Sequence, residues 1–106
     1  MPKTLVVLPR AQADADEEAL CYQTHDSPEV ASRFLSDLRH AFLRVLRFPN
    51  IGKLWPTPTR ELRGLRRFPL PHFPYSIFYF PTETAIEIVR VLHNSRDLPP
   101  LLEDFT

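Results

Sequence analysis

A chain of 106 residues has room for one domain around one core, and 43% hydrophobic residues with eight Phe supply that core, which excludes disorder by composition. Thirteen basic against thirteen acidic residues leave no net charge, so bulk attraction to a polyanion is excluded. The lone Cys21 excludes a disulfide framework and a cysteine metal site and reads as a small, half-buried helix residue.

Charge is unevenly placed. Eight of the thirteen basic residues fall between Arg39 and Arg67, where Glu61 is the only acid, whereas Ala11 to Ser32 holds six acids and no basic residue. A dipolar surface with one basic side is expected. The apolar run Leu5-Val-Val-Leu8 is too short for a signal-peptide core or a membrane span, so a cytoplasmic protein without membrane contact is expected.

In chain order, Lys3 to Leu8 reads as a short strand stopped by Pro9, and its continuous apolar run suggests a place inside a sheet. Ala11 to Thr24 reads as a helix with acids in its early turns, opposite the positive end of the macrodipole, and with Ala11, Ala15, Ala19 and Tyr22 along one stripe. Ser27 as N-cap, Pro28 at the first helical position and Glu29 behind them open a second helix that runs to about Arg47. Val30, Phe34, Leu35, Leu38, Ala41, Phe42, Val45 and Leu46 recur along it at helical spacing. Pro49-Asn-Ile-Gly52 ends this helix, and residues 49–59 read as an irregular connection in which Trp55 lies as a lid over the core.

Three strands follow, at about 60–68, 74–80 and 85–93. The first carries Arg60, Arg63, Arg66 and Arg67, with Gly64 marking a bulge or a close backbone approach. The second is apolar on both parities and should be central. Residues 98–106 read as an irregular tail. The expected fold is a single α+β domain over 1–106, two-layered, in the order β-α-α-β-β-β. A helical hairpin packs on one face of a small, mostly antiparallel sheet and leaves the other face open. A strand rich in arginine leading into two apolar strands suggests a sheet face or edge aimed at a polyanion or an acidic partner. The four histidines have no metal-ligand spacing, and with two glycines in all there is no phosphate-cradling loop, so neither metal nor cofactor is expected.

The segments Leu8-Pro-Arg-Ala11 with Asp14, Ser27-Pro-Glu-Val-Ala31 with Phe34, Phe48-Pro-Asn-Ile-Gly52, Leu62-Arg63 followed by Pro74-Tyr75-Ser-Ile-Phe-Tyr79, and Val91-Leu-His93-Asn-Ser-Arg96-Asp97 stand in the order found in a known family. Across residues 5–97 the chain resembles the RelE/ParE superfamily of toxins from type II toxin–antitoxin pairs, nearest the ParE branch. The resemblance implies a cytoplasmic growth inhibitor, of the kind that stabilises plasmids, neutralised by a cognate antitoxin in an oligomeric complex. ParE-type members act on DNA gyrase; RelE-type members cut mRNA on the ribosome. On the first reading the target-binding residues are Arg60, Arg63, Arg66, Arg67, His93, Arg96 and Asp97. A decayed, non-toxic module that still binds its antitoxin is a third reading. An antitoxin would dock as an amphipathic helix or an added strand, so exposed apolar surface is expected.

The ribonuclease reading needs a base, an acid and cations at the phosphate. Its candidates are His72, His93, Tyr75, Arg63, Arg66, Arg67 and Arg96, with Arg63, His72, His93 and Arg96 as the set that would carry catalysis. If Phe80 pairs with Ala85 across the turn, His72 faces His93 near Arg96; Pro71 and Pro74, without N–H donors, weaken that ladder. RelE-type ribonucleases resemble one another in basic and tyrosine residues towards the C-terminus, whereas Leu98 to Thr106 has no Lys, Arg, Tyr or His. That departure favours a gyrase-directed binder without bond-making residues of its own.

Overall fold

The computed structural model describes residues 2–56, 60 and 63–95. Strand β1 (Thr4–Val7) is followed by helices α1 (Pro9–His25) and α2 (Pro28–Arg47), then by strands β2 (Lys53–Leu54), β3 (Arg66–Pro69), β4 (Tyr75–Pro81) and β5 (Ala85–His93). The sheet order is β1-β5-β4-β3-β2. β1 runs parallel to β5, with Thr4 opposite Ala85, and every other pair is antiparallel. The two-layer α+β reading holds, and β4 is the central strand.

Local signals explain the helices. The Ser27 hydroxyl accepts from the Val30 N–H at 3.2 Å, and Pro28 follows at the first helical position. Helix α1 begins at Pro9, two residues earlier than its charge pattern suggests, so none of its acids lies in the first turn. Ala11 and Ala15 are buried and let α1 approach β5 closely. Phe34, Leu38, Ala41 and Val45 bury the inner stripe of α2 against Ile77, Tyr79, Ile86 and Ile88 of the sheet. Tyr22, Phe34, Phe73 and Tyr75 close one end of this core in tilted and edge-to-face contacts, with ring centroids 5.3 to 6.3 Å apart.

Several expectations are corrected. β1 lies at the sheet edge, not inside it: Leu5 and Val7 turn to the core while Val6 is 36% exposed. Cys21 is exposed. The connection after α2 contains the short edge strand β2. The arginine strand is only Arg66–Pro69, and Arg63 and Gly64 form a turn before it. Gly64 has φ +90° with open space where a Cβ would stand, so a left-handed turn conformation, not a bulge or a close approach, calls for glycine there. The sheet face away from the helices is not bare. It carries a second cluster of Leu65, Phe78, Val89 and Leu92, flanked by Leu8, Trp55 and Phe80. Trp55 does act as a lid, edge-on to Phe78 at 5.6 Å, on that second face.

The register of β4 and β5 also differs. Pro81 pairs with Ile86 and Tyr79 with Ile88, but Phe78 pairs with Arg90, which leaves Val89 unmatched as a bulge. There, beyond the end of β1, α1 takes over. Asp14 Oδ2 accepts from Arg90 Nε at 2.7 Å and from the Val91 N–H at 2.9 Å, while Oδ1 accepts from Arg90 Nη2 at 3.0 Å. Both side chains are nearly buried, at 7% and 14% exposure. Removing one member of such a pair strands the other's charge. Asp14→Ala is therefore expected to destabilise the fold by about 3–5 kcal/mol in urea unfolding; a loss below about 1 kcal/mol, the level of a surface pair, would refute this role.

A second joint ties the exit of α2 to the sheet. The Tyr79 hydroxyl accepts from the Gly52 N–H at 2.9 Å and donates to the Pro49 carbonyl at 2.8 Å. A Cβ on Gly52 would lie 2.7 Å from that hydroxyl and 2.9 Å from the Arg67 carbonyl. Gly52→Ala should cost about 1–3 kcal/mol by overpacking, and Tyr79→Phe a similar amount by stranding both backbone groups. Equal unfolding midpoints for both variants and the parent would show that the joint is slack.

Candidate target-binding face

The face opposite the helices is organised around Arg67. Its neighbour Arg66 points the other way and donates to the carbonyls of Gly52 at 2.6 Å and Asn50 at 3.3 Å, so it fastens the exit of α2. Arg67 pairs across the sheet with Phe78 and lies over Trp55, 5.7 Å from the ring centroid. Its Nη2 donates to Asn94 Oδ1 at 3.2 Å, and Ser76 donates to the same oxygen at 2.6 Å. Its Nε is buried without a hydrogen-bond partner among the described residues. The result is a guanidinium held by stacking on one side and a polar end of the sheet on the other, beside the buried cluster of Phe78 and Leu92.

Arg60 and Arg63 are exposed on the loop that the Trp55 N–H and the Leu65 carbonyl close at 2.8 Å. The expected basic group therefore divides: Arg60, Arg63 and Arg67 belong to the loop and the helix-free face, while Arg66 serves the opposite side. Arg96 and Asp97 lie outside the described residues.

The two histidines do not face each other. His93 sits opposite Tyr75, with ring centroids 5.0 Å apart, and its Nδ1 accepts from the Ser95 N–H at 3.0 Å. His72 has left the ladder between the prolines that break it. Its N–H donates to Asp37 Oδ2 at 3.2 Å and its Nδ1 lies 2.8 Å from Asp37 Oδ1. Tyr75 is buried and donates to Glu18. Burial, then the hydrogen bond to Glu18, raises its ionisation far above the ordinary phenol value, so Tyr75 is a poor proton carrier near neutral pH. Tyr22 and Tyr79 are raised as well, chiefly by burial.

Three of these groups escape a reading of the sequence. Asp37 falls three residues after Phe34 and four before Ala41, inside the apolar stripe, which is the signal of a buried acid with a partner. Arg90 is the one charge in the apolar run Ile88 to Leu92, and it points in the same way to a buried partner. Asn94 carries no such mark, because its role depends on Ser76 and Arg67 meeting it in space. Among the described residues no group of His, Cys, Asp and Glu could hold a metal ion, and no helix is long and apolar enough to cross a membrane.

With the geometry in place, comparison with known proteins is decisive. A family model described as the ParE toxin of the type II toxin–antitoxin system, parDE, matches residues 5–98. The chain belongs to the ParE toxin family. Toxin ParE1 from Mycobacterium tuberculosis, in strains CDC 1551 / Oshkosh and ATCC 25618 / H37Rv, is 32% identical over 100 residues, spanning 92% of this chain and 96% of the relative. A solved structure described as the chromosomal ParDE TA system from P. aeruginosa superposes with a TM-score of 0.72 at 23% identity, covering 87% of this chain and 96% of that one. That likeness bears out the fold. The protein is a ParE-type toxin of a type II toxin–antitoxin system, as the motif order suggests.

All three tyrosines ionise above the usual value of 10.0 in the folded chain. The neutral ring is the form that folding favours. Its stabilising contribution is complete below about pH 10, and it is lost as pH rises towards the folded-state values. Phenolate absorbance should reach half its amplitude above pH 10, and its full amplitude only together with unfolding. A titration that reached half its amplitude at pH 10 with native circular dichroism would overturn this.

Proposed function

We propose that this ParE-family toxin stops growth by poisoning DNA gyrase in the cytoplasm, and that a cognate antitoxin neutralises it by direct binding within an oligomeric complex. The helix-free face with Arg67, the loop cations Arg60 and Arg63, and the end of β5 at His93 with Arg96 and Asp97 beyond it contribute to the inhibitory surface; Arg66 acts on it through the joint at Gly52. The observation that carries the reading is family membership over nearly the whole chain. The geometry supports binding over bond-breaking. His72 and His93 stand on different partners, and Tyr75 is locked on Glu18.

The purified full chain, added to gyrase and supercoiled plasmid, is expected to trap cleaved DNA and to inhibit supercoiling. Arg67→Ala should weaken this effect about tenfold, as the loss of one charge-assisted contact would. Gyrase activity unchanged at saturating toxin would sink the proposal. An early halt of translation in cells expressing the chain, with DNA synthesis intact, would transfer it to the ribosome.

A further inference from the structure

A cleft of about 560 Å³ lies between α2 and the β3–β4 connection, and none of the residues that build the Arg67 face lines it. Arg33, Ser36, Asp37 and His40 line it from one side of the helix, and His72 and Phe73 from the connection. Asp37 is the only acid among the lining residues, and its side chain is 8% exposed. Both of its oxygens are engaged by His72, one by the backbone N–H and one by the ring. Anchoring the connection needs only the backbone bond. The second bond does something else: a carboxylate can only accept, so it holds the proton on Nδ1 and leaves Nε2 free, an acceptor in the neutral ring and an N–H donor once the ring is protonated. Yet the His72 side chain is 77% exposed, so this orientation adds little stability. A buried carboxylate that holds an exposed imidazole in one tautomer and one direction is a device for presenting that imidazole.

Arg33 and His40 flank it on the same helix side, seven residues and about two turns apart, with the Ser36 hydroxyl between them. One guanidinium, two imidazoles in their protonated form and a hydroxyl around a pocket whose carboxylate is already spoken for make a donor set suited to a tetrahedral oxyanion. Phe73 gives the cleft an apolar wall for whatever the oxyanion is attached to.

We propose that this cleft binds a phosphate ester, with Arg33, His40 and His72 on the phosphate oxygens and Asp37 as the positioning residue for His72. The site is independent of the gyrase reading and of the face that reading uses.

The test is an NMR titration of the isotopically labelled full chain with inorganic phosphate, with a nucleoside 5′-monophosphate and with a short single-stranded oligonucleotide, against chloride at equal ionic strength. Saturable shifts centred on the His72 and His40 rings are expected with phosphate and not with chloride. Arg33→Ala and His72→Ala, both at exposed positions that leave the core intact, should each weaken binding about tenfold. Asp37→Asn should also weaken it and alter the His72 ring signals in the free protein, which a purely structural aspartate would not do. Tighter binding of the monophosphate than of the oligonucleotide identifies a free nucleotide as the source; the reverse order, still sensitive to Arg33→Ala, identifies a phosphate within a strand. Shifts that fail to saturate and spread over all surface cations, or affinities unchanged in both alanine variants, would overturn the proposal.

Discussion

The clasp of Asp14 on Arg90 and on the Val91 N–H is the interaction on which the rest of the architecture hangs. β1 pairs with β5 only as far as Ile88. Beyond that point β5 would show water an unpaired edge. Asp14 supplies the missing acceptor from α1, so a side chain takes over where a strand ends. The bulge at Val89 falls at the same place and changes which side chains face which layer. Ile86, Ile88 and Val91 join the helical core, whereas Val89 and Leu92 join the second cluster. Without the extra residue, the end of β5 would turn its apolar groups the other way. The second face, with Phe78, Trp55 and Arg67 upon it, is therefore set by a contact on the far side of the sheet.

Neighbouring arginines show how far residue type alone is from role. Arg66 and Arg67 have the same chemistry and adjacent positions, but strand alternation sends them to opposite layers. Arg66 closes the carbonyls of Asn50 and Gly52 in the connection that leaves α2. Arg67 is held in place by an indole and an asparagine, and its Nε has no hydrogen-bond partner among the described residues. A count of arginines in the segment treats them as one patch; the pleat makes them one fastener and one surface group.

What was legible in the sequence follows the same division. Helix α2 could be read almost to the residue, because the cap at Ser27, the proline at 28 and the apolar stripe are all local signals. The centrality of β4 and the extent of β5 were legible from apolar runs. The place of β1 was not, since a continuous apolar run predicts burial on both faces, whereas here the helical core and the small second cluster cover an edge strand only in part. The β4–β5 register departs from the expected one first at the turn, where β4 runs on to Pro81 and Phe80 faces Glu87 instead of Ala85, and again at the bulge, which leaves no mark in composition; the first offset alone separates His72 from His93. The arginine strand is shorter than its run of arginines suggests, because Gly64, which could mark a bulge, marks a left-handed turn. The candidate site was legible in its residue types and not in its grouping, which arises from contacts between Arg67, Ser76 and Asn94 that are far apart along the chain.

The edge position of β1 has a consequence for how the toxin comes into being. Thr4 and Leu5 find their partners at Ala85 and Ile86, the first strand closing on the last. Local contacts can form α1 and α2 early, but the strand made first must wait for the strand made last. Emergence of the chain from the ribosome at about 5–20 residues per second imposes a delay of several seconds before that pairing can begin. Loop closure over such a separation slows it further. The sheet stays incomplete until β5 has been made, and the interval before β1 docks is one in which the apolar core stands open on one side.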